Sequence, residues 1–346
     1  MSESDTHRRL LIVGNPAEHH VGAHFLAAAP PLGIEARLLN VREAHSRNVW
    51  LNRFFHRLCS RRPAYLGRFS RSVAKVCREF RPESVLVTGI SAPNAATLRA
   101  LGKSGVRRIN FLTDDPWNPA NAAGFFRPAL LEYDVVFSPR EANMEDLRRH
   151  GCRRVEYAPF GYNPALHFPE APQTAQERHR FACDVAFVGG ADRDRFPLAR
   201  SLLRAGWRVK LYGGYWDRDP ELRAFWHGFV HGREFRLAVG GALVNVCIGR
   251  KANRDGHAMR SLELPAMRAC VVVEDTPEHH TIFGNEAECV LYFKTPEEMV
   301  AKTKWLLANP AERERLRHSV HRHIVNGRHT YADRLNAMVG NLNNNS

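Results

Sequence analysis

The stretch Asp184-Val185-Ala186-Phe187-Val188-Gly189-Gly190 decides how this chain is read. An unbroken apolar run rich in β-branched and aromatic residues, closed by paired glycines, is how a strand buried on both faces meets a tight turn. A helix is expected next, near Phe196 to Ala205. Further runs of the same kind follow at Arg208 to Tyr212, Leu243 to Ile248, Cys270 to Glu274 and, more briefly, Cys289 to Phe293. Strands alternating with helix-like stretches predict a parallel α/β sheet. The tail from Pro296 to Met338 predicts two helices, broken at Asn309-Pro310.

Upstream lies Phe160 to Arg180, which carries Pro164, Pro169 and Pro172 without apolar periodicity and reads as a linker. Before it stands a second α/β series. Leu10-Leu11-Ile12-Val13 ends at Gly14-Asn15-Pro16, and strands are predicted at Ala36 to Leu39, Ser84 to Thr88, Arg108 to Thr113, Asp134 to Ser138 and Val155 to Ala158. With 346 residues, the chain divides into Rossmann-like domains at 1–165 and 181–325, a linker at 166–180, and a C-terminal helix and tail at 326–346.

Composition narrows the class. Hydrophobic residues at 44% and charged residues at 25% exclude a disordered or collagen-like chain. No apolar run is long enough to span a bilayer, and the polar start Met1 to Arg9 has no signal-type segment behind it, so a soluble cytoplasmic protein is expected. Seven scattered cysteines with no C-x-x-C argue against a disulfide framework or zinc knuckle. Fifty Lys and Arg against 36 Asp and Glu give a net charge of +14, so an anionic partner is expected.

In open α/β sheets ligands bind beyond the carboxyl ends of strands. There, Gly189-Gly190 would let backbone N–H groups approach a phosphate, with Arg193 and Arg195 close by; a plain tight turn fits equally well. The segment Asn253 to Ala266 crowds Asp255, His257, Glu263 and three cations, Arg254, Arg260 and the preceding Arg250, around one helix start, with Asp255 expected in the loop and Glu263 on the helix. Those residues suit either a sugar and ribose site or simple helix capping and a surface ion pair. Asp114-Asp115-Pro116 after a strand offers paired carboxylates, or an ordinary turn. The Asp-Arg-Asp triplets at Asp192 to Asp194 and Asp217 to Asp219 do not make a metal site, and H-E-x-x-H, G-x-S-x-G and the phosphate-loop motif are absent.

The C-terminal half resembles the CgeB-like (spore maturation protein-type) glycosyltransferases, relatives of the family-4 retaining enzymes with the GT-B fold. The likeness runs in order through Val185 to Gly189, Arg260 to Ala266, Glu274-Asp275-Thr276-Pro277-Glu278-His279, Phe283 to Glu288, and His329-Thr330-Tyr331 with Arg334. The N-terminal half matches at Thr113 to Pro116 and Asp134 to Ser138. The resemblance implies two Rossmann-like domains facing each other across a cleft, with C-terminal helices. It implies transfer from a UDP- or GDP-sugar without a metal cofactor, and a first domain that holds the acceptor. On this likeness Glu263 falls at the ribose-binding glutamate, and Asp255 where family-4 enzymes usually carry the first Glu of a spaced pair. Gly189, Gly190, Arg195 and Arg260 would face the diphosphate, Val230 and His231 the base, and Thr276 and Glu278 the phosphate loop. Asp114 and Asp115 would be acceptor-side groups, which with Asp255 complete the catalytic candidates.

The charge is unevenly placed. Between Val41 and Phe80, ten Lys or Arg face two acids, which is +8 of the +14. Trp50, Leu51, Phe54, Phe55 and Leu58 form a stripe with Arg53, His56 and Arg57 off it, the pattern of a basic amphipathic helix. Residues 41–80 would dock an anionic acceptor or the inner face of an anionic membrane, or would form a core helix with a solvated basic face. A nucleic-acid-binding protein and a catalytically silent GT-B nucleotide-binding module are the alternatives; no RRM, zinc-finger or heptad pattern supports the first.

Overall fold

The structure, a computed structural model, describes residues 8–340. It resolves into two compact units: residues up to Pro159 together with those from Tyr331 on, and Phe160–Thr330. The first holds a six-stranded sheet in the order β2-β1-β3-β4-β5-β6. Its strands are β1 (Arg8–Gly14), β2 (Ile34–Asn40), β3 (Ser84–Thr88), β4 (Arg107–Phe111), β5 (Val135–Ser138) and β6 (Val155–Tyr157). The second holds a five-stranded sheet in the order β11-β10-β9-β7-β8. These are β7 (Cys183–Val188), β8 (Val209–Tyr212), β9 (Ala242–Cys247), β10 (Val271–Glu274) and β11 (Leu291–Phe293). Every strand pair is parallel.

Each predicted strand is present; the inner ones are short apolar runs buried on both faces, while the edge strands β2 and β6 are only partly covered. All five residues of β3 are buried, and Ile12 of β1 sits in register between Leu38 and Leu86. Helices cover the sheets: Leu66–Phe80 presses Phe69, Val73 and Cys77 onto Val85 and Val87 of the first core. In the second core, Arg195–Arg204 contributes Leu198, Ala199 and Leu202 against Val185 and Val244.

Two boundaries differ from the expected ones. The Pro-rich stretch belongs to the second unit, not to a free linker. Glu170 there takes Arg233 Nε at 2.6 Å and Arg236 Nε at 2.8 Å, and its backbone lies where any side chain at Gly240 would collide. Thr174 and Glu177 then close a capping box on helix Ala175–Phe181. The tail forms three helices, Pro296–Ala308, Pro310–Asn326 and Tyr331–Gly340. The last rejoins the first unit, where Tyr331 stacks on His24 at 4.7 Å and meets Phe25 edge-on at 5.4 Å.

Both sheets reverse their winding once. In the first, β1 and β3 are neighbours whose connections leave in opposite directions, and in the second, β7 and β9 are. Loops at such points part and leave a crevice, the place where open α/β sheets receive ligands, and Gly14, Gly89, Gly189 and Gly249 follow the strands that border it.

Candidate functional site

In the second unit the glycine turn after β7, which borders the crevice, is backed by a second glycine turn after β8. Gly213 has φ +114°, and a Cβ there would lie 2.5 Å from the carbonyl oxygen of Gly189. Ala191 N donates to Gly214 O at 2.8 Å, and Trp216 Nε1 to Gly189 O at 2.9 Å. The turn after β7 is therefore knitted to the turn after β8. Phe229, 61% exposed, lays its ring over Gly214 and stacks near His231 at 6.3 Å. Val230 is buried, while His231 is exposed at the start of helix Gly232–Gly240. A flat exposed ring beside a bare backbone turn suits a nucleobase.

Arg195 does not face this crevice. It is nearly fully buried and donates through Nη1 to Gly190 O at 2.8 Å and through Nη2 to Ile248 O, bracing the ends of β7 and β9 from below. Asp192 caps the helix start, accepting from the N–H of Asp194 and Arg195, so these amides are engaged by a carboxylate. The cation placed over the turn is Arg250, whose Nη2 comes 3.4 Å from a Cβ position at Gly190 and whose side chain is 45% exposed.

Beyond β9 and β10 the loops are cross-tied. Asp255 lies in the loop as expected, and its Oδ2 accepts from Arg250 N at 2.9 Å. Glu274, at the end of β10, accepts from Gly249 N at 2.6 Å, and burial raises its pKa. Thr276 donates to Gly256 O and caps the next helix at His279 N, 3.1 Å. The buried Glu278 carboxylate occupies the space a side chain at Gly256 would need, with a Cβ there only 1.8 Å from its carboxyl carbon. Thr276 and Glu278 thus meet Gly256 directly.

Glu263 is on the helix Arg260–Ala266, as expected, and is 1% exposed. It pairs with Arg260, and its other oxygen lies 3.7 Å from His167 Nε2. Arg260 also donates to Val188 O at 3.1 Å and stacks over Phe235 at 4.4 Å, which ties this carboxylate to the end of β7. The next residue, Ser261, meets His279 Nε2 at 2.8 Å, while His279 Nδ1 lies 2.7 Å from Glu274 O. A carbonyl accepts only, so Nδ1 carries the proton and Nε2 accepts from Ser261; burial holds this histidine's pKa down at about 4.

In the first unit, Asp114 and Asp115 part company. Asp115 is buried and closes its own turn by accepting from Trp117 N at 2.9 Å. Asp114 is half-buried, accepts from Thr113 Oγ1 at 2.9 Å, and lines a cavity of about 320 Å³ with His45, Arg61, Ile90 and Ser91. His20, after β1, feels the Asp114 charge, but burial and Arg42 together lower its pKa. Sequence reasoning missed His20, Phe229 and Glu274, and counted Arg250 only among the cations near the Asn253 to Ala266 segment. Each follows a strand end or glycine turn, and that position was the available signal.

Among the described residues the Asp-Arg-Asp triplets act as turns: Asp192 caps a helix, and buried Asp219 pairs with Arg200 and accepts from Leu222 N at 3.1 Å.

Comparison with known proteins bears on the fold and on the second half of the chain. Residues 195–340 match the sequence model of a family described as glycosyl transferase-like. A glycosyltransferase from Rickettsia africae is 10% identical, with 99% of this chain and 100% of that one covered at a TM-score of 0.68. The sucrose-phosphate synthase of Thermosynechococcus elongatus is 12% identical over 97% and 98% of the two chains, TM-score 0.67. The fold is GT-B. This GT-B chain is also similar to the UDP-GlcNAc 2-epimerase of Neisseria meningitidis bound to UDP-GlcNAc, 13% identical over 98% and 100%, TM-score 0.56. No curated protein matches it.

Proposed function

We propose that the chain is a CgeB-like hexosyltransferase that moves a sugar from a uridine or guanosine diphosphate donor to an anionic acceptor, with retention and without a metal. The observation that carries this reading is the assembly at the β7/β9 reversal: two interlocked glycine turns, the exposed Phe229 ring and the Arg250 guanidinium over Gly190. The glycosyl transferase-like match over residues 195–340 and the UDP-sugar held by a protein of the same fold support it.

The base would stack on Phe229 beside Val230 and His231, the diphosphate would lie on the Gly189-Gly190 turn under Arg250, and Glu263 would take the ribose hydroxyls. As the bond from sugar C1 to the phosphate oxygen breaks, charge grows on the diphosphate, and a fixed guanidinium and backbone dipoles offset it. The acceptor oxygen bonds to C1 on the face the phosphate leaves, and its proton passes to the departing phosphate oxygen. In the first unit Asp114 is the acceptor-binding candidate, in its own cavity, and in the second Asp255, through Arg250 and Gly249, would hold the loop around the sugar.

The test is a thermal-shift panel of UDP, GDP and their sugars followed by chromatography of donor incubated with the protein. A ligand at 100 times its dissociation constant adds about 2.7 kcal/mol of stability. Binding with release of nucleoside diphosphate and sugar transfer supports the reading. Binding without turnover under any acceptor leaves a silent nucleotide-binding module, and conversion of UDP-GlcNAc to its 2-epimer without transfer makes the protein an epimerase; either refutes it.

A further inference from the structure

The basic stretch divides into two helices with opposite fates. Leu66–Phe80 buries its apolar stripe in the first core and leaves Arg68, Arg71, Lys75 and Arg78 in water. Val49–Leu58 buries none of its residues. It is capped by Asn48, which accepts from Trp50 N at 2.8 Å, and anchored by Asn52, which exchanges hydrogen bonds with the Ser46 backbone.

Trp50, Phe54 and Leu58 are four residues apart, so they form one ridge. They are 75%, 52% and 72% exposed. Leu51 and Phe55, on the flank next to the ridge, are half-buried. On the opposite flank stand Arg53 and Arg57, with the Arg53 guanidinium 5.0 Å over the Trp50 ring. From Ala44 to Arg78 there is no acidic residue. Beside the helix opens a groove of about 1220 Å³ lined in part by three arginines, Arg42, Arg47 and Arg68, and one carboxylate, Glu43.

We infer that helix Val49–Leu58 lies in the headgroup layer of an anionic bilayer, with Trp50, Phe54 and Leu58 among the upper acyl chains and Arg53 and Arg57 on lipid phosphates. A narrow aromatic and aliphatic ridge bordered by arginines matches the depth and chemistry of that layer. Charge selects the occupant: two copies of this face would bring cation against cation, whereas acidic headgroups complement the arginines that border the ridge and outnumber Glu43 in the groove. The inference concerns the first unit alone and stands or falls independently of any sugar donor.

The test is co-sedimentation of the full chain with vesicles of phosphatidylcholine alone and of phosphatidylcholine with phosphatidylglycerol. Binding is expected to the anionic vesicles, to weaken at high salt, and to fall about 100-fold in W50S/F54S/L58S, since each large side chain contributes more than half a decade of partition. None of the three is buried, so circular dichroism and melting temperature should stay as in the wild type. R53E/R57E should lose the preference for anionic vesicles. Equal binding to neutral vesicles, unchanged binding of the triple variant, or no vesicle binding overturns the inference. So does a concentration-dependent dimer that W50S/F54S/L58S abolishes without any effect of lipid.

Discussion

His279 gives the sharpest quantitative handle on the second unit. Its ring is held neutral between Ser261 and the Glu274 carbonyl, with a pKa of about 4 against 6.5 for a free histidine. Because the folded pKa is depressed, the unfolded chain binds a proton that the fold refuses. The fold is therefore fully stable with respect to this group above pH 6.5 and loses stability as pH falls toward 4, below which the loss stops growing. The whole effect is about 3 kcal/mol, of which roughly 2 kcal/mol is already gone at pH 5. The assay is urea unfolding followed by circular dichroism from pH 7.5 to 5, on the wild type and on His279→Gln. The variant starts lower at pH 7.5, having lost a fitted pair of hydrogen bonds, but should shed about 2 kcal/mol less on acidification. His20, His45 and His227 also have lowered pKa values and contribute alike to both proteins, so the difference isolates His279. Parallel pH profiles would refute the reasoning.

Two further outcomes separate bracing from binding at the β7/β9 reversal. Arg195→Met should cost about 3 kcal/mol by stranding the carbonyls of Gly190 and Ile248, whereas Arg250→Ala should change stability by less than about 0.5 kcal/mol yet weaken UDP about tenfold, as isothermal titration would record. Gly213→Ala places a methyl against the Gly189 carbonyl at a backbone angle that favours glycine, so the melting temperature should drop and the UDP-induced shift should vanish.

The strands were legible because burial on both faces writes an unbroken apolar run, as in Val185 to Val188, that needs no knowledge of neighbours. What a side chain at a strand end points to was less so. Arg195 follows a glycine turn and looks like a phosphate ligand, yet it opens the stripe Arg195, Leu198, Ala199, Leu202, whose spacing of three, four and seven puts it on the buried face. That signal was present in the sequence. Phe229 and Arg250 follow a glycine and a strand end, but what they cover depends on how separate loops meet over Gly190 and Gly214. Periodicity likewise marks Val49–Leu58 and Leu66–Phe80 as amphipathic without saying that only the second finds a core to cover it.

The helix Tyr331–Gly340 reverses the order in which the chain can be completed. The second unit is one uninterrupted segment, Phe160–Thr330, and has all its strands as soon as that segment has emerged from the ribosome. The first unit, synthesised earlier, waits for the last helix before His24 and Phe25 are covered by Tyr331. During synthesis the apolar seat of that helix stays open while some 170 intervening residues are added, about ten to thirty seconds at usual elongation rates. Loss of residues beyond Thr330 would accordingly damage the amino-terminal unit and spare the one it directly follows.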